Sequence, residues 1–220
     1  MESIYYVMAW ACHRRCKHCY EDRFRPYVGA QLDAVVSEAA ANAPRIVDNL
    51  PERLTYLDLG DLDDAGLPRE KPGRIIVSGG ESLLDRVRTA VTYPTIERMQ
   101  RRYRDAGVKI IVQTTGDLVT EEIVDDLLAR DVWMISCAGL DDFHVGLETE
   151  AKQAAMKERL ARIFETRGMH AVTIPSPDRR RHEQPGPLYN FFGATPDSWI
   201  GKLWPRGRAW SNDLSTATLA

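Results

Sequence analysis

Short apolar runs and longer amphipathic stretches alternate along most of the chain. Residues 4–9 form a brief β-branched and aromatic run, which predicts a strand. Residues 32–50 then carry Leu32, Val35, Val36, Ala39, Ile46, Val47 and Leu50 at helical spacing, and Pro51 marks the stop. Residues 58–73 read as an acidic connection with Gly and Pro, and residues 74–78 as a buried strand running into Gly79-Gly80. Pro94 sits early in a helix with Ile96, Met99 and Tyr103 on one face, closed by Gly107.

The rhythm continues with a strand at 108–114 ending at Gly116, then a helix N-capped by Thr120 with Ile123, Val124, Leu127 and Leu128 on its core side. A strand at 132–136 follows, then a helix at 148–166 with Met156, Leu160, Ile163 and Phe164 aligned and Gly168 as its C-cap residue. Residues 169–174 predict a further strand, residues 175–187 a Pro- and Arg-rich loop, and Phe191-Phe192 the start of a last strand. The tail from 205 to 220 has little apolar periodicity. Repeated strand–helix units argue for an α/β fold with a parallel sheet and helices outside, open or partly closed as a barrel.

Composition narrows the class. The chain has 220 residues, 44% of them hydrophobic, enough for one domain with a substantial core. A formal net charge of −3 argues against nucleic-acid binding through bulk electrostatics. Residues 1–9 lack the basic start and apolar run of a signal peptide, and no apolar stretch reaches the ~20 residues a membrane helix needs. The expectation is a cytoplasmic protein without a membrane partner.

The four cysteines are Cys12, Cys16, Cys19 and Cys137. Clustered thiols in a chain without an export signal point to metal ligation or redox work. Cys12-x3-Cys16-x2-Cys19 lies directly after the first strand, which in a strand–helix barrel is the C-terminal rim where active sites are kept. Three thiolates on one short loop can hold three irons of a cubane cluster, and the lack of a fourth nearby cysteine leaves one iron open to a ligand. The alternative is a structural zinc site using Cys16, Cys19 and either His13 or His18, although one loop lacks the second ligand pair zinc modules bring from a distance. Strand alternation turns Cys137 away from Ser136, toward the helices, as a buried thiol.

The stretch 12–19, Cys-His-Arg-Arg-Cys-Lys-His-Cys, resembles the CxxxCxxC motif of the radical S-adenosylmethionine (SAM) superfamily. Gly79-Gly80-Glu81 is similar to that family's GGE segment, and Gln113-Thr114-Thr115-Gly116 with Ile135-Ser136 resembles its next two strand ends, Thr115 replacing the usual Asn. The resemblance covers residues 4–174; the family's fifth-strand glycine motif has no counterpart at 171–175. It implies a partial TIM-like (β/α)6 barrel, open on one side for substrate, with a [4Fe-4S] cluster on Cys12, Cys16 and Cys19. It further implies S-adenosyl-L-methionine contacted by His18, Gly79, Gly80, Glu81, Thr115 and Ser136, the glycines admitting its methionine part and Glu81 pairing with its amino group. The implied chemistry is reductive cleavage of SAM to a 5′-deoxyadenosyl radical that abstracts hydrogen from a substrate. The implied electron donor is a flavodoxin or ferredoxin.

The segment Trp204-Pro205-Arg206-Gly207-Arg208-Ala209 resembles the Gly-Arg-Ala stretch that leads from the radical SAM core to the auxiliary-cluster (SPASM) domain of larger, peptide-modifying members. The chain is thus read as a core domain over 1–190, with the last core element and an irregular tail over 191–220, truncated before such a domain or working without it. His144, in Asp141-Asp142-Phe143-His144, is the candidate catalytic side chain, against the plainer reading of a loop histidine in an ion pair. His170 reads as a core histidine within a strand. The basic runs at 101–104 and 179–181 read as a solvated helix side, with Tyr103 facing inward, and as a loop. The substrate expectation is a peptide or protein side chain. The alternatives are a small-molecule radical SAM enzyme of the deazapurine-forming kind and a non-catalytic iron–sulfur or zinc protein of the same fold.

Overall fold

The structure, a computed structural model, describes residues 1–172, 184–193 and 203–215. Six strands form one parallel sheet: β1 (Ser3–Val7), β4 (Arg74–Ser78), β5 (Lys109–Thr114), β6 (Met134–Ala138), β7 (His170–Ala171) and β8 (Leu188–Phe192). Their order across the sheet is β1-β4-β5-β6-β8-β7. The helices between them are α1 (Gly29–Asp48), the short α2 (Asp85–Val87) leading through a π-helical turn (Arg88–Thr92) into α3 (Tyr93–Tyr103), α4 (Glu121–Leu128) and α5 (Glu150–Thr166). Parallel neighbours need crossovers, and helices supply them. This is the α/β single-domain architecture of a partial strand–helix barrel.

The local signals explain the element ends. Thr120 Oγ1 accepts a hydrogen bond from Ile123 N at 3.3 Å, and Thr149 caps α5 in the same way through Lys152 N. Gly107 follows α3 in the left-handed conformation (φ 68°), which a residue with a Cβ adopts only at a cost. The faces read from the spacing are the faces buried: Val36 and Val47 on α1, Ile96, Met99 and Tyr103 on α3, Leu160 and Phe164 on α5. Tyr103 turns inward between basic neighbours as the 3.6 period requires.

The parallel register separates the two sheet faces. Val77, Val112, Ile135 and Tyr189 face the helices and join the main core. On the other, concave face, Ile76, Ile111, Met134 and Leu188 align as one apolar layer, packed with Trp133. Two residues further along each strand the same face turns polar, with Ser78, Gln113, Ser136 and Asn190. Alternation with period two makes this layering unavoidable once the register is set. A dry floor thus lies beneath a polar rim at the C-terminal ends of the strands.

Four details differ from the sequence expectation. Residues 58–73 are not a simple connection: β2 (Thr55–Leu62) and β3 (Pro68–Pro72) pair as an antiparallel hairpin. Its turn is made by Asp63, whose carboxylate accepts from Ala65 N and Leu67 N, a local bond that reading the segment as an acidic connection with Gly and Pro overlooks. Phe191 and Phe192 end β8 instead of beginning it. His170 is exposed on the edge strand β7, because β8 inserts between β6 and β7 and leaves β7 with one neighbour. The predicted strand at 169–174 is described only to Val172; its end, most of the 175–187 loop, the 179–181 basic run and residues 216–220 lie outside the described residues.

Candidate functional site

The cysteine loop grows from the C-terminal end of β1. Met8 N donates to Ser78 O at 2.8 Å, continuing the ladder one residue past the strand, and the chain then runs beside the Gly79-Gly80 turn. Gly80 N donates to Ala9 O (3.1 Å) and Glu81 N to Ala11 O (2.9 Å). A Cβ on Gly79, itself at φ 149°, would lie 2.9 Å from Ala9 O, and one on Gly80 would overlap the Ala11 carbonyl. These glycines are required by the chain's own backbone, a reason the sequence alone did not supply.

The loop is closed at its base: Ala11 bridges Arg25, and Cys12 N donates to Arg25 O at 3.0 Å. Inside it, Cys19 N reaches Cys16 O (3.3 Å) and Phe24 N reaches Glu21 O (3.2 Å). The buried Phe24 ring packs on Trp10 and edge-on to Tyr20, giving a loop without regular structure an aromatic floor. Cys12 and Cys16 are buried, Cys19 is half-buried, and all are free thiols. Burial pushes the Cys12 thiol up to about 12, with Glu81, Cys16 and Cys19 adding to the rise. Burial also raises Cys19, against the opposing charge of Arg208.

Glu81 is the centre of the second layer. It is 2% exposed, and one oxygen accepts from Leu83 N (2.9 Å) and Thr114 Oγ1 (2.7 Å). The other accepts from Thr115 N and Thr115 Oγ1, both at 2.8 Å. Thr115 Oγ1 also lies 2.5 Å from Asp117 Oδ1. A hydroxyl has one proton, so it donates to one of the two carboxylates at a time. Asp117 is further bound by His13 Nε2 (2.6 Å) and Arg14 Nη2 (2.8 Å), both from the cysteine loop. Burial pushes the Asp117 carboxyl up, but the His13 and Thr115 hydrogen bonds and the Arg14 charge outweigh it and hold the group well below the usual range.

The far wall of the rim comes from the loop after β6. Asp141, 3% exposed, accepts from Phe143 N (3.1 Å) and His144 N (3.2 Å), and the same oxygen lies 2.7 Å from His144 Nδ1. His18 crosses from the cysteine loop to meet this group, its ring 4.3 Å from that of His144 and 5.7 Å from that of Phe143. Its Nδ1 is buried without a hydrogen-bond partner. Burial, then the neighbouring His144, lowers His18 to about 4, so the ring is neutral at pH 7. On the polar layer below, Ser136 is flanked in register by Gln113 and Asn190, and Asn190 Oδ1 is buried without a partner.

The structure therefore gathers Cys12, Cys16, Cys19, Glu81 and Thr115 on one rim, with His18 facing His144 across it. Cys137 lies elsewhere, in register with Thr114 and Phe191 on the helix-facing side, 1% exposed and with its thiol raised by burial. Asp117, Thr114 and Asp141 did not figure among the expected site residues. Asp117 carried a readable signal, a carboxylate directly after a strand-ending Gly, whereas Thr114 becomes a donor to Glu81 only through the tertiary fold.

A single zinc ion with tetrahedral thiolates at ~2.3 Å needs sulfurs within ~3.8 Å of one another. Among the described residues, the sets of three metal-binding side chains whose ligand atoms lie within 4.8 Å are His18–Asp141–His144 and His13–Glu81–Asp117, neither containing a cysteine. His13 is held by Asp117 and His18 packs against His144. Three thiols spread around one loop suit a cubane, in which each binds a different iron.

No family model and no curated protein matches the sequence. Among solved structures, the fold is similar to one described as native anSMEcpe with bound AdoMet, at 15% sequence identity and a TM-score of 0.45. The alignment covers 88% of this chain and 51% of that one, so the chain spans about half the length of that protein. A likeness of this degree leaves the function to be argued from the site itself. No described helix is long and apolar enough to cross a membrane.

Proposed function

We propose that this chain is a radical SAM enzyme, with a [4Fe-4S] cluster on Cys12, Cys16 and Cys19 and S-adenosylmethionine bound beside it. The observation that carries the reading is the junction of the three-cysteine loop with the Gly79-Gly80-Glu81 turn and Thr115 on one rim, over a polar concave face. When bound, the pair supplies a 5′-deoxyadenosyl radical able to abstract hydrogen from a substrate.

The chain's own residues do the rest. Each thiol would give up its proton on ligating iron, and burial raises the Cys12 thiol against that loss. Glu81 and Asp117 set two carboxylates about the Thr115 hydroxyl, and an anionic group there suits the ammonium of a methionine moiety. Three donors of its own, Leu83 N, Thr114 Oγ1 and Thr115 N, fix Glu81, so it presents a set position to a ligand. His18, neutral and with a free buried nitrogen, offers an aromatic face and a polar edge to an adenine. Asp141 orients His144 through Nδ1, leaving Nε2 as the atom that meets substrate or cofactor.

The substrate in this reading is a peptide or protein side chain. The support is the sheet's open edge at β1, where Tyr5 is 57% exposed on the concave side, giving lateral access for something larger than a metabolite. The reading is tested by anaerobic loading with iron and sulfide, followed by electron paramagnetic resonance of the reduced protein with and without SAM. About four irons per chain and a spectrum altered by SAM are expected. Zinc retained in place of iron, or a spectrum indifferent to SAM, contradicts it.

A further inference from the structure

One side chain far along the sequence holds the cysteine loop from outside. Arg208 lies in the five-residue helix α6 (Gly207–Ser211), yet its guanidinium reaches four carbonyls of the loop. Nε donates to Cys16 O (2.9 Å), Nη1 to Asp22 O (3.0 Å) and, at 3.5 Å, to Glu21 O, and Nη2 to Phe24 O (2.8 Å). Its backbone N donates to Cys19 O at 2.8 Å, with Ala209 N on the same oxygen at 3.3 Å, and Asn212 Nδ2 reaches Lys17 O at 3.1 Å. Gly207 is in the left-handed conformation (φ 58°), and a Cβ there would come within 2.8 Å of Cys19 O. The Gly-Arg-Ala sequence is thus fitted to the loop's backbone residue by residue.

The physical need is plain. The loop has no helix or strand ladder between Cys12 and Phe24, so most of its carbonyls lack a regular partner and require donors from elsewhere. A guanidinium carries five N–H donors in a planar fork and no acceptor, and it stays charged at every working pH. With a side chain 11% exposed, Arg208 satisfies the loop on both sides of Cys19 at once. It also sets a fixed positive charge at the Cys16 carbonyl, 2.9 Å away, within the loop that carries the three thiols.

We propose that Arg208 is the positioning residue of the cysteine loop: its fork fixes the backbone around Cys16 and Cys19 so that both thiols are presented together as metal ligands, and its charge raises the reduction potential of the bound cluster. The proposal rests on reading the cysteines as iron ligands. Neither half needs Arg208 to touch cluster, cofactor or substrate. A lysine at this position keeps the charge but offers a point donor in place of the fork, so the two contributions separate.

The test compares the full chain with Arg208→Lys and Arg208→Met. In the metal-free proteins, amide hydrogen exchange is read at Cys19 and Phe24, whose N–H groups are bonded within the loop, and at Ile111 and Val112 of β5 as a control for global folding. Exchange at Cys19 and Phe24 is expected to quicken at least about tenfold in both variants, with β5 unchanged. Iron per chain after anaerobic loading should fall in both. The reduction potential of the cluster that does form should drop in Arg208→Met and be largely retained in Arg208→Lys. If Arg208→Met loosens β5 as well, Arg208→Lys decides. Unchanged loop exchange in the lysine variant overturns the positioning role, as does faster exchange with full iron uptake. Equal potentials in all three proteins overturn the charge effect. A wild-type chain that takes up no iron contradicts the iron reading instead, and the exchange data then judge Arg208's grip on the loop by themselves.

Discussion

The two ends of the sheet are built in opposite ways. At the C-terminal rim, the cysteine loop is held by Asp117, in the loop after β5, and by Arg208 on α6, across 104 and 192 residues of sequence. At the N-terminal end, the β2–β3 hairpin is held by its own ladder, by its Asp63 turn and by Lys71 set between Asp58 and Asp61 at 2.9 and 2.7 Å. The rim buries Glu81 and Asp141 and spends many hydrogen bonds fixing a few side chains. The hairpin leaves Leu57, Leu59, Leu62 and Leu67 more than half exposed. Long-range polar constraint of the first kind is what a site needs, since a reacting group must be held against its own flexibility.

If that contrast is right, substitutions at the rim cost binding or stability and those in the hairpin cost little. The largest effect is expected from Cys16→Ala, which should reduce iron content after loading at least about tenfold, whereas Cys137→Ala, on the helix-facing side, should leave it unchanged. Equal loss in both would remove the distinction between ligand and bystander thiol. Thr114→Val keeps the side-chain shape but deprives the buried Glu81 of a donor, and thermal or denaturant unfolding should show about 1–3 kcal/mol lost.

Asp117→Asn should act more weakly and with a set pH dependence. A carboxyl held below its ordinary value stabilises the fold fully above the unfolded pKa and loses that contribution as pH falls toward the folded one. The difference in Tm between wild type and variant should therefore be level above about pH 5 and shrink below about pH 4. The smallest effect belongs to Leu59→Ser, at a position 79% exposed: a change within about 0.5 kcal/mol, and no change in iron content. A large loss there would mean the hairpin's leucines are covered in solution.

The same contrast explains what could be read from the chain. The strand–helix alternation, the Thr120 cap and the inward face of α3 follow from local spacing, and they stand where the pattern puts them. The three cysteines, Gly79-Gly80-Glu81 and Thr115 were grouped through the resemblance of their motifs, and each lies in a segment that follows a strand. The hairpin was not, since Gly60 and a register shift between Asp58 and Leu62 break its alternation. Nor was the insertion of β8 between β6 and β7, which no local signal encodes and which exposes His170. The hub at Asp117 was missed although it follows a strand-ending Gly, and Arg208 was read only as part of the Gly-Arg-Ala stretch, because the partners of both are groups distant in sequence.

The most direct test of the central claim is product analysis of the loaded protein. The chain, reconstituted anaerobically with iron and sulfide, is incubated with SAM and a strong reductant, and 5′-deoxyadenosine is measured by mass spectrometry beside a Cys16→Ala control. The account predicts deoxyadenosine from the loaded wild type with reductant, and none from the unloaded chain or from Cys16→Ala. A cluster-bearing wild type that leaves SAM intact under the same conditions would contradict it.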